Sequence, residues 1–129
     1  MDHLNWGVLG ASKFALEHLT PAMQLSKNNR FLALATRSKQ KAAPFVRLEP
    51  GIDVFDDYDQ LLADNRINAV YIPLPNTMHV DWTKRAIHAG KHVLCEKPIA
   101  MKSTEINELI ELRNKSGLLI AEAYMIVHH

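Results

Sequence analysis

Apolar residues along this chain follow two rhythms that alternate. Short, nearly continuous apolar runs occupy residues 4–9, 31–35, 70–74, 92–95 and 118–123, with a shorter piece at 53–55. Runs of that length predict strands covered on both faces. Between them, apolar positions recur at helical spacing. Over residues 103–116, Ile106, Leu109, Ile110 and Arg113 fall at i, i+3, i+4 and i+7, which puts the apolar part of the stripe on one face. Ser103 is placed as its N-cap with Glu105 in the first turn, and Gly117 is placed to stop it. Residues 77–89 end similarly at Gly90, with Val80, Thr83, Ala86 and Ile87 on one side. Residues 13–27 read as helix, with Pro21 expected to kink or divide it. Residues 39–48 and 58–64 predict shorter helices.

Strands alternating with helices build βαβ units, and right-handed crossovers then give a parallel, doubly wound α/β sheet. Six strands complete one Rossmann dinucleotide-binding domain, expected to fill residues 1–129. The composition, 47% hydrophobic and 22% charged, is that of a globular protein and excludes a disordered one. Fifteen Lys and Arg against fourteen Asp and Glu leave a net charge of +1, too little for a general nucleic-acid surface. The one cysteine, Cys95, excludes an internal disulfide and fits a reducing compartment. With no leader at its start and no apolar run near the roughly 18 residues of a membrane span, the chain is expected to be cytoplasmic.

The first strand runs into Gly10-Ala11-Ser12-Lys13-Phe14-Ala15, a variant of the G-x-G-x-x-G/A turn between a first strand and its helix. Gly10 supplies the tight turn, Ala15 permits close helix–strand packing, and the helix N-terminus faces a pyrophosphate. Ser12 stands where glycine normally lets the backbone approach, and its hydroxyl can donate to a phosphate oxygen. The same residues also suit a plain strand–turn–helix. At the end of the second strand, Thr36-Arg37-Ser38-Lys39 and Lys41 offer no carboxylate for the ribose 2′-hydroxyl of NAD. Arg37 and Ser38 can instead hold a 2′-phosphate, or the cations can be the solvated start of the next helix. Given a dinucleotide site, the missing acid selects NADP, with NAD second.

The fourth strand enters Pro73-Leu74-Pro75-Asn76-Thr77-Met78-His79, and the fifth reads Gly90-Lys91-His92-Val93-Leu94-Cys95-Glu96-Lys97-Pro98. Both end where such sheets bind ligands. Lys97, followed by a proline that stops the strand, is a candidate electrophile or proton-transfer group; the other reading is a surface lysine paired with Glu96. Together with Glu122-Ala123-Tyr124-Met125, these segments resemble the glucose–fructose oxidoreductase / inositol dehydrogenase (Gfo/Idh/MocA) family over essentially the whole chain. Tyr124-Met125 and the following histidines look closest to its NADP-dependent aldose and dihydrodiol dehydrogenase branch.

The resemblance implies hydride transfer between a nicotinamide dinucleotide and a carbon of a small sugar, cyclitol or diol. It places Lys97 beside the nicotinamide as the catalytic residue. Asn76, His79 and Glu96 would line the cofactor trough, with Leu74 and Pro75 packed along it. Gly10, Ala11, Ser12, Lys13 and Phe14 would bind the diphosphate, and Thr36, Arg37 and Ser38 would lie near the adenosine ribose. Family members carry a second α+β domain that supplies substrate contacts, an acid/base residue and often an oligomer interface. The chain is expected to stop near the start of that domain, with His128-His129 at the break, and to bind cofactor with little or no turnover. A non-catalytic dinucleotide-binding regulatory or interaction module is the alternative, against which Lys97 speaks.

The remaining residues have plainer readings. Cys95 is expected to be a buried, inert thiol. His3, His18, His88 and His92 lack metal-ligand spacing, so no metal is expected. Trp82 reads as packing, and Asp56-Asp57-Tyr58-Asp59 as an acidic helix start.

Overall fold

A computed structural model describes residues 3–96 and 99–123. Lys97, Pro98, Tyr124, Met125, His128 and His129 lie outside the described residues. The strands are β1 (Leu4–Leu9), β2 (Asn29–Ala35), β3 (Asp53–Phe55), β4 (Ala69–Ile72), β5 (His92–Glu96) and β6 (Ile120–Ala123). They form one sheet in the order β3-β2-β1-β4-β5-β6, and every neighbouring pair is parallel. The doubly wound α/β expectation therefore holds. The chain builds outward from β1 through β3, then crosses back to lay β4 on the other side of β1. The crevice at that reversal, outside the carboxyl ends of β1 and β4, is where ligands bind in open α/β sheets.

The helices are α1 (Thr20–Leu25), α2 (Lys39–Leu48), α3 (Tyr58–Leu62), α4 (His79–His88) and α5 (Ser103–Ser116). The first helical segment runs unbroken past Pro21 but changes its winding just before it. Ahead of it, Ala15–Leu19 winds as a π-helix, with the Thr20 N–H donating to the Ala15 carbonyl. Wider winding relieves the clash that a proline ring makes with the preceding turn. Pro73 likewise ends β4 at Ile72, because it brings no N–H to the ladder. In α5 the structure moves the cap: Glu105, not Ser103, does the capping, its Oε1 accepting from the Lys102 N–H at 3.1 Å.

Successive strand residues feed opposite cores, as a period of two requires. Leu9, Val70, Ile72, Val93 and Cys95 pack with α3 and α4 on one face, joined by Leu112 of α5. Val8, Leu34 and Tyr71 meet Ala15, Met23 and Phe45 on the other. Gly7 is needed for the first of these layers: a Cβ there would sit 2.5 Å from Leu61 Cδ2 of α3.

Candidate functional site

The first feature is the turn after β1. Gly10 adopts φ +109°, a conformation side chains disfavour, and a Cβ there would lie 3.1 Å from Leu74 Cδ2. That near contact brings the β1 turn against the loop that follows β4. The Gly10 N–H donates to the Ala35 carbonyl at 2.9 Å, which ties the same turn to the end of β2. Ser12 then caps the helix, its Oγ accepting from the Ala15 N–H at 3.0 Å. An oxygen that accepts this bond still has its own hydrogen to donate. In the first turn, the N–H groups of Lys13 and Phe14 have no carbonyl four residues back within the helix. Lys13 is exposed, 4.0 Å from Glu17, and the Phe14 ring lies against His18.

The second feature is a cavity of about 690 Å³ beyond β2 and β3. Thr36, Arg37, Ser38 and Lys41 line it, as do Met78, Trp82 and Arg85 of the α4 region. Asp56, Asp57, Tyr58 and Asp59 complete the wall. Ser38 caps α2, accepting from the Lys41 N–H at 3.1 Å, and its own N–H donates to Thr36 Oγ1 at 3.2 Å. Several charges here are engaged: Asp57 accepts from the Asp59 N–H at 2.8 Å, and Asp59 pairs with Arg85 at 3.2 Å. Among the described residues, Arg37 and Lys41 form no ion pair.

The third group gathers at the carboxyl ends of β4 and β5. Leu74 is buried and Pro75 exposed, and Asn76 opens the 3₁₀ turn Asn76–Met78, its side chain outside what is described. His79 is 1% exposed, and its Nε2 bonds the Leu74 carbonyl. So placed, His79 bears on the crevice through the loop it fastens. Glu96 is half-buried, and burial pushes its carboxyl above the ordinary value, against the opposing pull of His79 and the neighbouring Tyr71 hydroxyl. Burial is also the main cause that pushes the Tyr71 phenol up, with the Glu96 charge adding to it. Cys95 is fully buried and its thiol is pushed up to about 12 by burial, so it is no nucleophile at neutral pH. Beyond the undescribed Lys97 and Pro98, the Ile99 N–H donates to Glu122 Oε2 of β6 at 3.0 Å.

The structure thus brings Gly10 against Leu74, joins the Gly10 turn to the end of β2, and puts Arg37 and Ser38 on one cavity. Sequence reasoning assigned Trp82 to packing, yet it lines that cavity while packing against the core; Arg85 and the Asp56–Asp59 segment were not placed there at all. The missing signal is topological: the crossing from β3 to β4 sets α4 beside α3. Among the described residues, no group of three or more His, Cys, Asp or Glu side chains could hold a metal, and no helix is long and apolar enough to cross a membrane.

Comparison with known proteins adds four findings. The family model described as "Oxidoreductase family, NAD-binding Rossmann fold" (GFO_IDH_MocA) matches residues 4–124. An uncharacterised oxidoreductase of Rhizobium meliloti is 43% identical over 130 residues, covering 100% of this chain and 39% of that protein. The dTDP-3,4-didehydro-2,6-dideoxy-alpha-D-glucose 3-reductase of Streptomyces violaceoruber is 40% identical over 126 residues, covering 98% and 36%. A 3-ketoreductase from Actinomadura kijaniata, solved in complex with NADP, superposes with a TM-score of 0.89 at 34% identity, covering 98% and 40%. The chain spans about two-fifths of the length of the relatives it matches.

Proposed function

This chain belongs to the Gfo/Idh/MocA oxidoreductase family with its NAD-binding Rossmann fold, and from that premise we propose that it supplies the cofactor half of a sugar, cyclitol or diol oxidoreductase that prefers NADP. The observation that carries this reading is the cavity wall of Arg37, Ser38 and Lys41, one bond away from the glycine turn. With Asp59 paired to Arg85, the charges on this cavity without an ion pair among the described residues are the cations Arg37 and Lys41 and the carboxylates Asp56 and Asp57, the last of which also caps α3. A guanidinium with a free fork suits a 2′-phosphate bidentately.

The residues present fit a dinucleotide. Gly10 leaves open the space that a Cβ would fill against Leu74, so the turn can take a diphosphate at backbone distance. Ser12, Lys13 and Phe14 offer a hydroxyl and first-turn N–H groups to it, with the helix N-terminus favouring negative charge. Leu74 and Pro75, fastened by His79, would floor the trough toward the nicotinamide end. The bound nicotinamide would supply the hydride chemistry. Lys97 is the residue proposed to polarise the substrate oxygen and stabilise charge developing on it.

Residues 1–129 are proposed to bind cofactor by themselves with little or no turnover, because substrate contacts and a proton-transfer partner are assigned to a second domain. Similarity to a sugar-nucleotide 3-reductase supports a carbohydrate substrate class. Calorimetric titration with NADP and, separately, NAD tests the reading. Saturable binding with NADP the tighter is expected. NAD ahead of NADP overturns the 2′-phosphate assignment, and binding of neither overturns the cofactor role of these residues.

A further inference from the structure

We propose that Arg85, held against Trp82, is the platform on which the adenine base of the dinucleotide stacks. The proposal rests on the dinucleotide reading above and adds residues that reading did not use. Arg85 is fixed from three directions. Its guanidinium carbon lies 4.5 Å from the centroid of the Trp82 ring. Its Nη1 reaches Asp59 at 3.2 Å and its Nε reaches Asp81 at 3.4 Å. Trp82 is itself steadied by Tyr58, edge-on at 5.1 Å and 79°. The result is a planar cation with a set orientation and a side chain still 48% exposed, on the wall of the cavity that Arg37 also lines.

Two solvated ion pairs do not by themselves account for that arrangement, since such pairs contribute little to stability. A fixed guanidinium does have a use beside a nucleotide. It is weakly hydrated, flat, and stacks on π faces, and every base presents one. If Arg37 and Ser38 take the 2′-phosphate, the base on the same ribose lies within the same cavity, and Arg85 is the fixed flat cation on its wall. Stacking does not read the phosphate, so Arg85 serves NAD and NADP equally. Arg37 and Arg85 therefore divide the work: one sets preference, the other affinity.

The chain has two tryptophans, Trp6 and Trp82. Trp6 lies at the amino end of β1, its Nε1 donating to Asn29 Oδ1, so Trp6→Phe leaves Trp82 as the one indole reporter. In that background, 2′-AMP is expected to change Trp82 emission saturably while nicotinamide mononucleotide leaves it unchanged. Arg85→Lys keeps the charge and loses the plane, and is expected to weaken NAD and NADP alike, by about tenfold; Arg85→Ala also frees the Asp59 carboxylate and is expected to weaken both, NADP the more. Unchanged Trp82 emission at 2′-AMP concentrations that saturate calorimetric binding would overturn the platform and leave the cofactor reading intact. So would Arg85→Lys and Arg85→Ala chains that bind both dinucleotides as the parent does. Absence of any calorimetric binding to the parent chain overturns both.

Discussion

At the amino ends of the strands, polar groups are bonded mostly to one another, whereas at the carboxyl ends several face open space. Lys91, just before β5, is 5% exposed and donates to the Asp64 and Ile67 carbonyls at 2.9 and 2.8 Å. Asn5 and Asn68 exchange two bonds between β1 and the β4 approach, and Trp6 is tied to Asn29. Arg66 closes on Asp64 and Asp53, and holds the Asp64 carboxyl below the usual range. At the other end, Arg37 and Lys41 stand without ion pairs among the described residues, and Glu96 keeps a carboxyl in a half-buried place that disfavours its charge. The contrast separates the work of the two ends. Groups bonded mostly within the protein hold the sheet together, and groups left uncommitted are available to a ligand.

The largest effect expected from that division is at Lys91. Lys91→Met keeps the apolar stem but removes both bonds to buried carbonyls, which should cost about 3 kcal/mol of stability. Urea unfolding would measure it, and NADP affinity under folding conditions should not change. A loss of affinity without a loss of stability would break the comparison from its structural side.

A smaller effect of opposite kind is expected at Arg37. Arg37→Ala removes a charge-assisted bond to a 2′-phosphate, about 2 kcal/mol, or about thirtyfold in the NADP affinity. NAD affinity and the unfolding midpoint should stay nearly as they were. An Arg37→Ala chain that keeps its preference for NADP would move the 2′-phosphate away from this wall.

The features that were legible beforehand are those written in neighbouring residues. The bounds of β1, β3, α2 and α5 follow from continuous apolar runs, helical spacing and the stop at Gly117. Gly10, Arg37 and Ser38 could be picked out because each lies within three residues of a strand's carboxyl end. Residues 73 and 74 misled the apolar pattern, since Pro73 and Leu74 extend an apolar run without extending the strand. The helix expected over 77–89 begins as a 3₁₀ turn and becomes α-helical at His79, whose ring is drawn inward by the Leu74 carbonyl. On α5 the spacing located an apolar face, but only Leu109 is buried, and Ile106 and Ile110 are 44% and 42% exposed. Periodicity tells which side of a helix is apolar, not how far a neighbour covers it. Trp82 and Arg85 were beyond reach for a related reason: what brings them to Arg37 is the crossover, a relation between elements far apart in the chain.

The smallest effect belongs to Glu96, and its sign distinguishes the two ends most sharply. Burial raises the carboxyl's pKa in the folded chain above its unfolded value near 4.5. The folded state therefore holds the proton to higher pH than the unfolded state does. Its contribution is fully present below the unfolded value and is lost as pH rises through the folded value. Glu96→Gln removes the charge that burial disfavours, so at pH 8 it should stabilise the chain by about 1 kcal/mol or less after solvent screening. At pH 4 the difference should vanish. Thermal melting of both chains at the two pH values measures this. Destabilisation at pH 8 would mean that His79 and Tyr71 compensate the charge more than burial penalises it, and that the carboxyl end is as fully bonded here as the amino end is at Lys91.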